Sequence, residues 1–220
     1  MNGKTKLICA LVGNILTALL STVGTVMHVR RAGWTVVAYY TTDSNILIAL
    51  SSVICALYIA LMLAGRREKM PRAAAAVKYF TVCMIAVTFL VVIFVLSPMY
   101  DSYAAGLVRM LFYRHLLFHH FLAPVCGIVT FLCFDEKLEK NRILPLAALA
   151  PTFVYAVATA SLNIARLLYG PYPFLLVYRQ PVWASVLWFF AILSFAYLIA
   201  LGIYAGQRAL RRDRRKAIEA

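Results

Sequence analysis

Apolar residues in this chain do not alternate with polar ones; they run in six long stretches, Leu7–Met27, Thr42–Ala64, Tyr79–Leu96, Met110–Phe134, Leu144–Asn163 and Val182–Tyr204. A helix needs about 20 mostly apolar residues to cross a bilayer, and each stretch has roughly that length. Unbroken runs lack the period-two pattern of a barrel strand. The pattern therefore predicts an all-α, six-transmembrane-helix bundle, the architecture that satisfies every backbone group inside lipid. The connections are short and no repeat is visible, so one domain is expected over residues 1–220, with residues 205–220 as a basic tail.

Composition agrees with the pattern, and charge orients it. The chain is 64% hydrophobic and only 14% charged, with a mean hydropathy of +0.83, far from the roughly 25% charged balance of soluble domains. Of its 22 Lys and Arg residues, 16 fall at the N-terminus, in the second and fourth connections and in the tail; six fall on the other side. The positive-inside rule then predicts that both termini are cytoplasmic. A formal charge of +14 is thereby assigned to topology, with the tail resting on anionic lipid headgroups, and no nucleic acid is expected as a partner. The first apolar run is longer than a signal-peptide core and is read as an uncleaved anchor. Cys9, Cys55, Cys83, Cys126 and Cys133 lie inside the stretches without CxxC spacing, as packing residues do. No phosphate loop, GxSxG elbow or HExxH pair is present.

Two polar clusters interrupt this apolar background. The first, Tyr39-Tyr40-Thr41-Thr42-Asp43-Ser44-Asn45, opens the second stretch, and polar groups inside a bilayer are costly enough to mark a site. At about 100° per residue Thr41, Ser44, Asn45 and Ile48 share one helical face, while Asp43 points toward the side of Tyr40 and Leu47. Small hydroxyls often join helices, which is the plain reading of Thr42. The Asp43 carboxylate calls for a partner, such as Arg109, Arg114 or a histidine.

The second cluster is Arg114-His115-Leu116-Leu117-Phe118-His119-His120, four residues before Pro124. On an α-helix His115 and His119 share a face and His120 is turned from His119 by about 100°. Zinc sites usually need more ligands than an i, i+4 pair, so neither a metal nor any other cofactor is expected. Thr41 and His120 both fall in the outer half of their segments, where they could meet. A hydroxyl beside an imidazole is the minimum for a base-activated oxygen nucleophile, which predicts an acyl-group hydrolase or transferase acting on membrane lipids or a lipid-like substrate. Ser44, Asn45 or Tyr155 would donate hydrogen bonds to the oxyanion. A transporter or lipid-binding protein, with Asp43, Arg114, His115, His119 and His120 as a polar path, is the competing class. A third reading gives these groups only a packing role. Oligomeric state is left open.

The stretch before the last apolar run carries Pro171, Pro173 and Pro181. Such a backbone cannot satisfy itself in lipid, so Tyr169–Val177 should lie at the outer surface or line a cavity. It is either a lid or an aromatic anchor of Tyr169, Tyr172, Phe174, Tyr178 and Trp183, the anchor being the simpler reading. Arg114, His115, Arg166 and Tyr172 are candidate contacts for substrate or its headgroup.

Several of these motifs together resemble a known family. Tyr39-x-Thr41-x-x-Ser44, His120-x-x-x-Pro124, Tyr155 and Gly170-Pro171-Tyr172-Pro173-Phe174-Leu175 are similar to a six-helix family of bacterial membrane proteins related to the eukaryotic androgen-induced and androgen-dependent membrane hydrolases. The resemblance implies a threonine hydrolase of fatty-acid esters of hydroxy fatty acids, in a bacterial cell membrane. It matches the nucleophile best to Thr41, with Thr42 as the alternative, and the base to His120, with His119 as the alternative. The eukaryotic members have an Asn-His context on the fourth helix, whereas Phe118 and His119 precede His120 here, a departure that bears on the substrate.

Overall fold

The computed structural model describes residues 3–219, with side chains described to residue 210. The tail cations Arg211, Arg212, Arg214, Arg215 and Lys216, on which the expected headgroup contact rests, lie outside the residues whose side chains are described. Among the described residues the secondary structure is wholly helical: α1 (Gly3–Ala32), α2 (Tyr40–Leu63), α3 (Arg72–Val91), α4 (Tyr103–Phe112), α5 (Ala123–Cys133), α6 (Leu144–Ala147), α7 (Ala150–Ile164) and α8 (Val182–Glu219). The backbone of α8 runs on through residues 205–219, so these extend the last helix.

Five helical segments are long and apolar enough to cross a membrane: Gly3–Ala38, Tyr40–Leu63, Arg72–Met99, Leu144–Ile164 and Val182–Leu210. The fourth apolar stretch differs from the straight helix expected over residues 110–134. Tyr103–Phe112 and Leu117–Cys133 meet at 96°, and only when they are taken together as one crossing does the count reach six. The break falls at Arg114, whose φ of +50° is left-handed and cannot continue a right-handed helix. Beyond it Leu117–Leu122 is wound as a π-helix. The faces expected for the histidines survive the altered winding: the His115 and His119 rings lie together, centroids 6.1 Å apart, and His120 turns away from them toward Thr41.

The protein is polar inside and apolar outside along α1. Asn14, Thr17 and Ser21 are buried, while Val12, Leu16, Leu19 and Val23 are exposed. The main apolar core joins α2, α3 and α5 through Ile48, Tyr79, Val82, Ile85 and Phe131. Close approach of α1 to the π-helical turn depends on Gly24, where a Cβ would stand 2.5 Å from the His119 ring.

Candidate active site

Thr41 lies in the first turn of α2, where backbone N–H groups lack intrahelical partners and the helix dipole is positive. Its N–H donates to the Tyr172 phenolic oxygen at 3.2 Å, and its Oγ lies 3.2 Å from the same oxygen. On its other side Thr41 Oγ is 3.4 Å from His120 Nε2, at the long limit of a hydrogen bond.

The protonation of His120 follows from its second contact. Nδ1 is 2.7 Å from the carbonyl oxygen of Met110, and a carbonyl only accepts, so Nδ1 carries the proton and Nε2 presents a bare lone pair to Thr41. Met110 sits in the last turn of α4, where carbonyls have no intrahelical donor. The 96° bend brings that free carbonyl over the imidazole. The break that the apolar pattern concealed is thus what fixes the histidine as an acceptor.

Tyr172 comes from the Pro-rich segment after α7. This segment turns tightly at Gly170, where a Cβ would collide with the Leu175 carbonyl, and stacks Tyr172 on Phe174 with ring centroids 5.3 Å apart. Burial pushes the Tyr172 phenol up to about 12, so it remains an O–H donor at neutral pH. Within the segment Tyr172 packs on Thr41, whereas Tyr169, Tyr178 and Trp183 are exposed.

Thr41 and Tyr172 also line a cavity of about 90 Å³ that is open on one side. Its walls are mostly apolar, among them Val87, Val91 and Leu96 from the third segment, Ala156 and Ala160 of α7, and Trp188 of α8.

The remaining expected residues fall around this pair in different roles. Ser44 Oγ donates to the Thr41 carbonyl at 3.0 Å and lies 3.0 Å from Thr88 Oγ. Asn45 Nδ2 donates to the Thr41 carbonyl at 2.8 Å and the His119 carbonyl at 3.2 Å. Tyr155 donates to the Ala38 carbonyl at 2.8 Å. These donors are committed to backbone oxygens, so Ser44, Asn45 and Tyr155 hold the framework and do not face an oxyanion. Asp43 is half-buried on the side of Tyr40, Tyr155 and Tyr172, with which it interacts electrostatically. Among the described residues no hydrogen bond or ion pair joins it to Arg109, Arg114 or a histidine. Arg114 and Arg166 are exposed, their guanidinium groups over the rings of Tyr113 and Tyr178, and neither is hydrogen-bonded to the Thr41 cluster.

A residue outside the expected set, His28 of α1, separates the alternatives. Its ring stacks on His115 with centroids 4.2 Å apart, and its Nδ1 lies 3.2 Å from Thr42 Oγ. His119 turns toward α1 and meets Thr25 Oγ at 3.1 Å through Nε2. The structure accordingly pairs Thr41 with His120 and Thr42 with His28. His28 falls one residue beyond the first apolar stretch, although α1 continues to Ala32. A recoverable signal was the recurrence of Asn14, Thr17, Ser21, Thr25 and His28 at three- and four-residue spacing. Among the described residues, no group of three or more His, Cys, Asp or Glu side chains is disposed to hold a metal ion.

Comparison with protein-family models, curated proteins and solved structures gives no match for this chain.

Proposed function

We propose that this is a multi-pass membrane protein, with both termini cytoplasmic, that hydrolyses lipid esters using Thr41 as nucleophile and His120 as general base. The observation that carries the reading is a hydroxyl facing a bare imidazole nitrogen at the edge of an apolar cavity. The polar-in, apolar-out distribution on α1 supports the membrane setting, since such an exterior is a liability in water.

In the reaction His120 Nε2 takes the Thr41 proton while Oγ adds to the ester carbonyl carbon, giving a tetrahedral oxyanion. The Tyr172 O–H and the positive end of α2 stabilise that charge. Collapse breaks the bond to the alcohol oxygen, which takes the proton from His120 and leaves an acyl ester on Thr41. Water, deprotonated by His120, then releases the fatty acid and restores the hydroxyl. A lipid alcohol in place of water would make the same site a transferase. The cavity walls suit an acyl chain. The family resemblance supports fatty-acid esters of hydroxy fatty acids as substrates and a bacterial cell membrane as the location.

The test is hydrolysis of 4-nitrophenyl esters of increasing chain length by the purified protein in detergent micelles. His120→Gln is expected to lower the rate by about a thousandfold; an unchanged rate removes the hydrolase reading. The runner-up, a transporter or lipid-binding protein with a buried polar path, draws support from the packed rings of His28, His115 and His119 and from His119 Nδ1, which is buried without a hydrogen-bond partner. It predicts proton-coupled uptake into liposomes that is lost in His119→Gln.

A further inference from the structure

We infer that Asn45 is a positioning residue that supplies, from α2, the hydrogen bond that Pro124 cannot give, and that this substitution fixes the spacing between Thr41 and His120. The inference rests on the hydrolase reading for its catalytic consequence, but its structural part stands on separate contacts.

Within the π-helical turn Leu117–Leu122 the hydrogen bonds run from residue i to i−5: the Ala123 N–H donates to the Phe118 carbonyl. The next donor in that register would be residue 124, aimed at the His119 carbonyl. Pro124 has no N–H, so this carbonyl lacks its helical partner. A buried carbonyl left without a donor is destabilising, because it has lost its bond to water and gained none in return. Here the Asn45 side-chain amide occupies the place of the missing N–H, at 3.2 Å from the His119 oxygen.

The same nitrogen donates to the Thr41 carbonyl at 2.8 Å. One amide group therefore holds two backbone oxygens, that of the proposed nucleophile and that of the residue preceding the proposed base. Thr41 and His120 sit on separate segments with no covalent reason to keep register. The clamp provides one, and the wider π-turn also relieves the clash of the Pro124 ring with the carbonyl four residues before it. Asn45 is fully buried, so water does not compete for the bond.

The test is a double-mutant cycle between Asn45 and Pro124 in the full-length protein. Pro124→Ala restores an N–H, which makes the amide redundant at His119. Asn45→Ala, and the near-isosteric Asn45→Asp that removes the donor, are expected to lower kcat by about 100-fold with little change in KM, because a misplacement of about 1 Å suffices for that loss. In the Pro124→Ala background the same Asn45→Ala change is expected to cost only a few-fold. Equal losses in both backgrounds would overturn the coupling, and an Asn45→Asp protein of wild-type kcat would overturn the positioning role. Two further readouts separate this inference from the hydrolase reading. They are the thermal midpoints of the four proteins and the 15N shift of His120 Nε2, which reports its contact with Thr41. If the wild type hydrolyses nothing, non-additive midpoints with a moved Nε2 shift in Asn45→Ala still uphold the clamp. Additive midpoints with a fixed shift sink it.

Discussion

Two buried polar clusters occupy the same bundle, about 16 Å apart along α2 at 1.5 Å per residue, and the cavity that Thr41 lines takes in no residue of the other cluster. Around Ser52 the Lys78 ammonium, 1% exposed, donates to the serine hydroxyl. Asp135, 3% exposed, accepts from Asn14 Nδ2 at 2.6 Å and acts electrostatically on Lys78. Ala10, Cys55, Ile59 and Met70 pack together nearby. Around Thr41, by contrast, His120 is held from behind by the Met110 carbonyl, its other ring nitrogen faces a hydroxyl, and that hydroxyl opens onto apolar space. A lysine beside a serine is as suggestive in a motif search as a histidine beside a threonine. Access and a committed proton, more than buried polarity, single out the Thr41 cluster as the candidate site.

The contrast makes opposite predictions at its two ends. His120→Gln should raise the hydrolytic barrier by roughly 4 kcal/mol and leave the unfolding midpoint nearly unchanged. Lys78→Met should do the reverse, costing about 1–3 kcal/mol of stability by removing the buried bond to the Ser52 hydroxyl while the rate per folded molecule is unchanged. Thermal unfolding and 4-nitrophenyl ester hydrolysis on the same preparations check both; a Lys78 variant that is stable yet inactive would erase the distinction.

Tyr172→Phe comes next, with an expected tenfold loss in kcat, or about 1.4 kcal/mol. Its phenol, raised by burial from 10.0 to about 12, contributes stability that is fully present below pH 10 and lost as pH rises toward 12. Wild-type protein should accordingly lose stability across that window by more than Tyr172→Phe does, as alkaline unfolding would show. The smallest effect is expected of Thr42→Val, which breaks the contact with His28 at a cost of about 1 kcal/mol. A rate near that of the wild type in this variant would sharpen the division between the two threonines, and a rate as low as that expected of His120→Gln would undo it.

Much of the fold was legible because apolar length alone marks a spanning helix, and five of the six stretches correspond to single helical segments. The fourth was not. Its apolar count runs through Met110–Phe134 without interruption, and the break is set by one left-handed residue, Arg114, which has no signature in hydropathy. Thr41, Ser44, Asn45 and Ile48 were correctly placed on one buried face of α2 because that helix is regular. His115 and His119 still share a face and His120 still turns from them, although the π-turn abandons the α-helical repeat from which those faces were read. Tyr172 and His28 reach the cluster through tertiary folding, one from a Pro-rich connection and the other from the far turn of α1; the polar spacing along α1 marks the face of His28 but not its partners.

The central claim, that Thr41 is a nucleophile activated by His120, is tested most directly by locating a covalent adduct. Purified protein treated with a long-chain fluorophosphonate, digested and sequenced by mass spectrometry should carry the phosphonate on Thr41, and His120→Gln should abolish it. An adduct on Thr42 or Ser44, or one that forms on Thr41 at the same rate without His120, would contradict the account.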